Sequence, residues 1–145
     1  MVHNDLIVFI GFGTAKLVPT DPSTGSRMLT RFKKMEIDRF KVDLLAYLPY
    51  ELLSELAFDG YSVDLWAVMI TLYRLVTGQL PWKCATMSDS NFHMTCRWGM
   101  RKVLEVKRLN LNPDLTDLLD IFFKLGPRKR LGLDEILRHP WMRDL

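Results

Sequence analysis

The chain has 145 residues, of which 48% are hydrophobic, 26% charged and 11% aromatic. That is enough for one globular domain and too apolar for a largely disordered chain. Twenty Lys and Arg against 17 Asp and Glu leave a net charge of +3, too small an excess to mark a nucleic-acid-binding protein. The two cysteines, Cys84 and Cys96, supply neither a disulfide framework nor a metal cluster. They are expected to be free thiols in a reducing, intracellular compartment, cytoplasm or nucleus. The opening residues MVHNDLIVFI carry Asp5 and lack a basic start, so no secretory signal is expected. The most apolar stretch, 63–76, contains Asp64 and Arg74 and is shorter than the ~20 apolar residues a membrane span requires.

In chain order, the apolar run 6–10 is ended by Gly11-Phe12-Gly13 and reads as a buried strand or strand pair. Residues 19–34 hold two prolines, Gly25 and many hydroxyls and read as a loop. Its basic end, Arg27, Arg31, Lys33 and Lys34, reads as a solvated face. From residue 44 onward the pattern is helical. Pro49 precedes ELLSEL, which predicts a short helix with proline near its start. Ser62 is a plausible N-cap for a helix over 63–77, with Asp64 in the first turn and Gly78 as its stop. That helix is apolar on every side, which predicts a place at the centre of the globule. A more polar surface helix is predicted around 98–106. Asn112-Pro113 announces another helix, with Leu115, Leu118, Leu119 and Phe122 on one face. A last helix over about 133–138 runs into His139, which reads as a capping or packing residue. The fold class expected from these elements is mainly α, with a short β remnant at the N-terminus.

The order of short motifs resembles something specific. Gly11-Phe12-Gly13-Thr14-Ala15 is similar to the D-F-G-x-A that opens the activation segment of protein kinases. Tyr47-Leu48-Pro49-Tyr50-Glu51-Leu52-Leu53 is similar to the Y-x-A-P-E-L-L that closes it. Val63-Asp64-Leu65-Trp66 and Gly78-Gln79-Leu80-Pro81-Trp82 resemble the central helix of the C-terminal lobe and the turn after it. Gly126-Pro127-Arg128-Lys129-Arg130-Leu131 resembles the late D-P-x-x-R-L turn, and 135–141 its last helix. Each motif alone is weak, and six in order are not. The resemblance spans 1–145 and covers about the second half of a kinase domain, from activation segment to last helix. Within the family, 51–82 looks closest to serine/threonine kinases of the calcium/calmodulin-dependent group, the checkpoint effector kinases above all.

What the resemblance implies is mixed. Phosphoryl transfer needs a glycine-rich loop, a paired lysine, a catalytic-loop aspartate with asparagine, and the D-F-G aspartate on magnesium. The first three motifs do not occur in this sequence, and Gly11 stands where the fourth belongs. Glycine has no side-chain oxygen for Mg²⁺, so no catalytic, cofactor or metal residue is assigned, and ATP with Mg²⁺ is expected only if the family activity survives. Leu44 occupies the position of the threonine that meets the catalytic aspartate. The structural residues implied are Glu51, paired with Arg130; Asp64, which either caps its own helix or lacks a partner; and Trp66. The expectation is a pseudokinase-like interaction module in intracellular signalling. Its protein partner would bind through an uncovered face of the central helix, and self-association is a second outcome. The alternative is a truncated product of an ATP-dependent serine/threonine kinase. Thr20, Ser23, Thr24, Ser26 and Thr30 read as an ordinary polar loop that another kinase could modify.

Overall fold

Helices begin in this chain where the sequence supplies caps. The computed structural model describes residues 2–3, 6–7, 12–30, 42–54 and 57–143. Among them, strands β1 (Val2–His3) and β2 (Leu6–Ile7) form one antiparallel ribbon with Val2 opposite Ile7. The rest of the expected strand, 8–10, lies outside the described residues, as does Gly11. Helices α1 (Tyr50–Leu53), α2 (Gly60–Thr77), α3 (Ser90–Trp98), α4 (Met100–Val106), α5 (Pro113–Phe122), α6 (Leu133–Leu137) and α7 (Pro140–Arg143) follow. The fold is therefore mainly helical with a β remnant, like the C-terminal lobe of a kinase.

The loop before α1 is tied down at its base. Asp21 accepts from Ser23 and Thr24 N–H, and Gly25 takes φ 69°, a left-handed value that suits glycine. Ser23 lends its hydroxyl as well as its N–H to Asp21, and these bonds hold the carboxyl below its ordinary pKa. Thr30 and Phe58 exchange two backbone hydrogen bonds of 2.9 Å each. Val18 lies so near Gly60 that an added Cβ would meet Val18 Cγ2 at 2.8 Å. Arg27 stacks on Tyr61 at 4.3 Å and approaches the Asp59 carboxylate at 3.7 Å. Arg31, Lys33 and Lys34 lie outside the described residues.

Helix α2 is the spine, and two of its expected features differ. Its N-cap is Asp59, whose carboxylate accepts from Tyr61 N–H and from the Ser62 hydroxyl. The helix therefore starts three residues before the expected 63, with Ser62 inside the first turn. Nor is it buried all round. Trp66, Met69, Ile70 and Tyr73 are buried. Tyr61, Val68 and Leu75 are 58%, 50% and 79% exposed. At about 100° per residue these three fall on one stripe, opposite the buried face. Side-chain chemistry made the helix look apolar throughout, whereas burial depends on which neighbours arrive.

The expected surface helix around 98–106 is α4, and an unforeseen helix, α3, precedes it and ends at Gly99. There φ is 87°, and a Cβ would collide with the Asp120 carboxylate. Asp89 caps α3 by accepting from Asn91 and Phe92 N–H. Asp120, reaching over from α5, accepts the Arg101 N–H at 2.9 Å in the first turn of α4. Helix α5 follows its sequence signals: the Asn112 side chain accepts from Asp114 and Leu115 N–H, Pro113 is the first residue, and Leu115, Leu118, Leu119 and Phe122 are buried. His139 is buried and accepts the Trp141 N–H through Nδ1, at the start of α7.

Candidate functional site

The most tightly determined polar site joins α1 to the segment after α5. Glu51 follows Pro49 and Tyr50 at the start of α1, which turns its carboxylate inward. Arg130 ends the short 3₁₀ turn Pro127–Lys129. Its Nη1 donates to Glu51 Oε1 at 2.6 Å and its Nη2 to Oε2 at 2.8 Å. This is the fork-to-fork arrangement in which a guanidinium is most strongly held. Two further donors are used: Nε donates to Lys124 O and Nη2 also to Leu125 O, so four of the five guanidinium N–H groups are bonded. The Glu51 and Arg130 side chains are 2% and 3% exposed. A buried pair is tolerated only with such extensive hydrogen bonding, because each charge has lost its water.

The guanidinium also lies over Trp66, 4.3 Å from the ring centroid. Trp66 is the hub of an aromatic cluster. Phe123 meets it edge-on at 5.1 Å, and Trp82 lies 5.6 Å away. Phe92 meets Trp82 edge-on at 5.1 Å. Trp82 Nε1 donates to Ala46 O, which anchors the 3₁₀ segment Val42–Tyr47. Arg74 donates to the Tyr47 hydroxyl at 2.9 Å. The structure thus brings Glu51, Arg130 and Trp66 into one contact set. It does not bring Asp64 there. Asp64 sits on the exposed side of α2, and the N-cap role belongs to Asp59. Leu44 is 45% exposed.

Two polar atoms of the α2 buried face, Trp66 Nε1 and the Tyr73 hydroxyl, have no hydrogen-bond partner among the described residues. Burial pushes the Tyr73 hydroxyl up to about 12. Burial also raises both thiols, with Asp89 adding to the rise at Cys84 and Arg130 opposing it at Cys96. Both cysteines are free and sit far from the thiolate state that makes cysteine reactive. Lys107 donates to Leu80 O and Pro81 O, and its own burial lowers its pKa against the pull of Asp89. It holds the turn after α2 in place, a role that no sequence pattern announced.

Among the described residues no group of three or more His, Cys, Asp or Glu side chains could hold a metal ion. At the D-F-G position the sequence offers Gly11, which has no ligand atom. Among the same residues no helix is long and apolar enough to cross a membrane.

Comparison with known proteins agrees with this geometry. Sperm motility kinase Z of Mus musculus is 27% identical over 151 aligned positions, which cover 99% of this chain and 27% of that protein. The probable serine/threonine-protein kinase MARK-B of Dictyostelium discoideum is 37% identical over 101 positions, covering 66% of this chain and 13% of that protein. Maternal embryonic leucine zipper kinase of Xenopus tropicalis is 30% identical over 97 positions, covering 67% and 14%. The chain spans about a quarter or less of the length of these relatives. The family described as "Protein kinase domain" matches residues 3–142. With that match over nearly the whole chain, and with Glu51 and Arg130 paired beneath an aromatic core, this chain belongs to the protein kinase domain family and has serine/threonine kinases among its relatives.

Proposed function

We propose that this chain is a kinase-derived interaction module that does not transfer phosphate by itself. Gly11 at the position of the magnesium-binding aspartate is the observation that carries this reading. A kinase without that carboxylate lacks the group that holds the magnesium ion, and it is the ion that neutralises charge on the phosphates. The Glu51–Arg130 pair speaks for the same reading from the other side: what holds the fold together is retained where the chemistry is not. The exposed stripe Tyr61–Val68–Leu75 supplies apolar surface for a protein partner or a second copy. On the sequence resemblance, we place the chain with the C-terminal lobe of the calcium/calmodulin-dependent group, nearest the checkpoint effector kinases, and in an intracellular signalling role.

A second reading is favoured by one observation. The chain spans 13% to 27% of the relatives named above, as a segment of a longer serine/threonine kinase would. A thermal-shift titration with ATP and Mg²⁺ tests the first reading. A native-state ligand must raise the melting temperature by mass action. A cooperative melt that ATP and Mg²⁺ leave unmoved supports the module. A saturable, magnesium-dependent rise overturns it.

A further inference from the structure

We propose that the surface around the cavity beside Trp98 docks an acidic segment of a partner protein, one apolar side chain packing on the exposed Trp98 and Leu125 while flanking carboxylates meet Arg97 and Lys124. The cavity measures about 290 Å³, and its wall includes Arg97, Trp98, Asp120, Phe123, Lys124 and Leu125. It lies at the junction of α3, α4 and the end of α5, apart from the Tyr61–Val68–Leu75 stripe. The inference therefore stands whether or not the chain transfers phosphate.

At about 290 Å³ the cavity lies at the lower edge of the roughly 300–1,000 Å³ typical of small-molecule sites. The lining is more polar than apolar, with two exposed apolar side chains on its rim. Trp98 is 60% exposed and Leu125 37%, although tryptophan is among the residues that gain most from burial. Trp and Arg are also the residues most often found to dominate binding energy at protein interfaces. Here they are adjacent, with Arg97 stacked 5.4 Å from the Trp98 ring.

Charge sets the flanks. Arg97 forms no ion pair among the described residues, so its charge is held by the indole alone. Lys124 Nζ is 3.9 Å from Asp120 Oδ2, at the outer limit of an ion pair. The other Asp120 oxygen already accepts the Arg101 N–H. Asp120 is thus shared between the Arg101 N–H and Lys124, and Arg97 has no carboxylate partner among the described residues. An acidic segment is attracted to such a rim and a basic one is repelled.

The test uses short labelled peptides in fluorescence anisotropy with the full chain. One set carries Leu or Phe in a frame of Asp and Glu. The controls place the same residue in a Lys frame, or Ser in the acidic frame. An unlabelled single-stranded oligonucleotide serves as competitor. The acidic peptides with Leu or Phe should bind and weaken with added salt. Trp98→Ala and Arg97→Glu should each weaken them about tenfold or more. Trp98→Phe should keep most of the affinity, and all three variants should melt with the parent, because the altered side chains are exposed. Four results overturn the proposal. They are binding weaker than about 1 mM for every acidic peptide with Leu or Phe, equal binding by a control set, unchanged affinity in both weakening variants, and competition by the oligonucleotide as strong as by the peptide.

Discussion

Arg130 and Glu51 stand 79 positions apart in the chain and meet through two parallel hydrogen bonds of 2.6 and 2.8 Å. No other described ion pair is buried on both sides. Removing one partner leaves the other charged, dry and unpaired. Glu51→Ala or Arg130→Ala is therefore expected to destabilise the chain by about 3–5 kcal/mol, read as a fall in the midpoint of urea unfolding. Arg130→Lys should recover little, because an ammonium cannot form the two-point contact or replace the guanidinium over Trp66. Replacing both residues by apolar ones of similar size should cost less than either single change. If the double variant is as damaged as the sum of the two singles, the pair acts independently at each end and this account fails.

Gly99 and Gly78 both have positive φ, 87° and 72°, yet they should respond differently to alanine. At Gly78 a Cβ meets nothing within 4 Å, so Gly78→Ala carries only the left-handed backbone strain, about 1–2 kcal/mol. At Gly99 the Cβ would also strike the Asp120 carboxylate that holds Arg101 N–H. Gly99→Ala should be the more destabilising of the two, and circular dichroism should lose more helix with it. Equal melting temperatures would contradict the geometry.

The buried Tyr73 hydroxyl gives an alkaline signature. Its pKa is raised from 10.0 to about 12 by burial. The unfolded chain ionises this group near 10 and the folded chain does not, so the stability linked to it is fully present below pH 10. It is lost as pH rises from 10 through about 12. The loss reaches about 2–3 kcal/mol, at 1.36 kcal/mol per unit. Because the hydroxyl has no partner among the described residues, Tyr73→Phe should leave stability at pH 7 unchanged or raise it by up to about 1 kcal/mol. The same variant should flatten the fall above pH 10. A phenylalanine variant less stable than its parent at pH 7 would mean that the hydroxyl is bonded after all.

Leu75 is 79% exposed and so does little for the folded monomer. Leu75→Gln is expected to change unfolding free energy by no more than about 0.5 kcal/mol. If the α2 stripe is a contact surface, the same change should lower the sedimentation coefficient of any self-associated form. A large loss of stability in the monomer would place Leu75 in the core instead.

How far the sequence was legible can be followed residue by residue. Asn112-Pro113 and the four apolar residues behind them announced α5, because cap, proline and stripe are all local. Helix α3 was not foreseen, because its cap Asp89 sits in a run of short polar residues that reads as loop. Its break at Gly99 is enforced by Asp120, 21 residues on. The spine α2 was found, but its solvent-facing stripe was not separable from its core face. Val68 and Met69 are equally apolar in composition and differ only in what lies beside them. Glu51 and Arg130 entered through resemblance to a family, since no local pattern joins residues so distant. The cavity beside Trp98 left no trace in the sequence, because its lining, from 95–99 and 120–125, comes together only in the fold.

The Asp120–Arg101 hydrogen bond has a consequence for how the molecule opens. An N-cap taken from another helix makes the first turn of α4 conditional on α5. When α5 frays or detaches, the Arg101 amide loses its acceptor in the same event. In hydrogen exchange, that amide should open with the free energy of α5, in one cooperative unit, and not with that of the neighbouring α3. The two helices, joined in the sequence only through the 107–112 linker, are expected to unzip together.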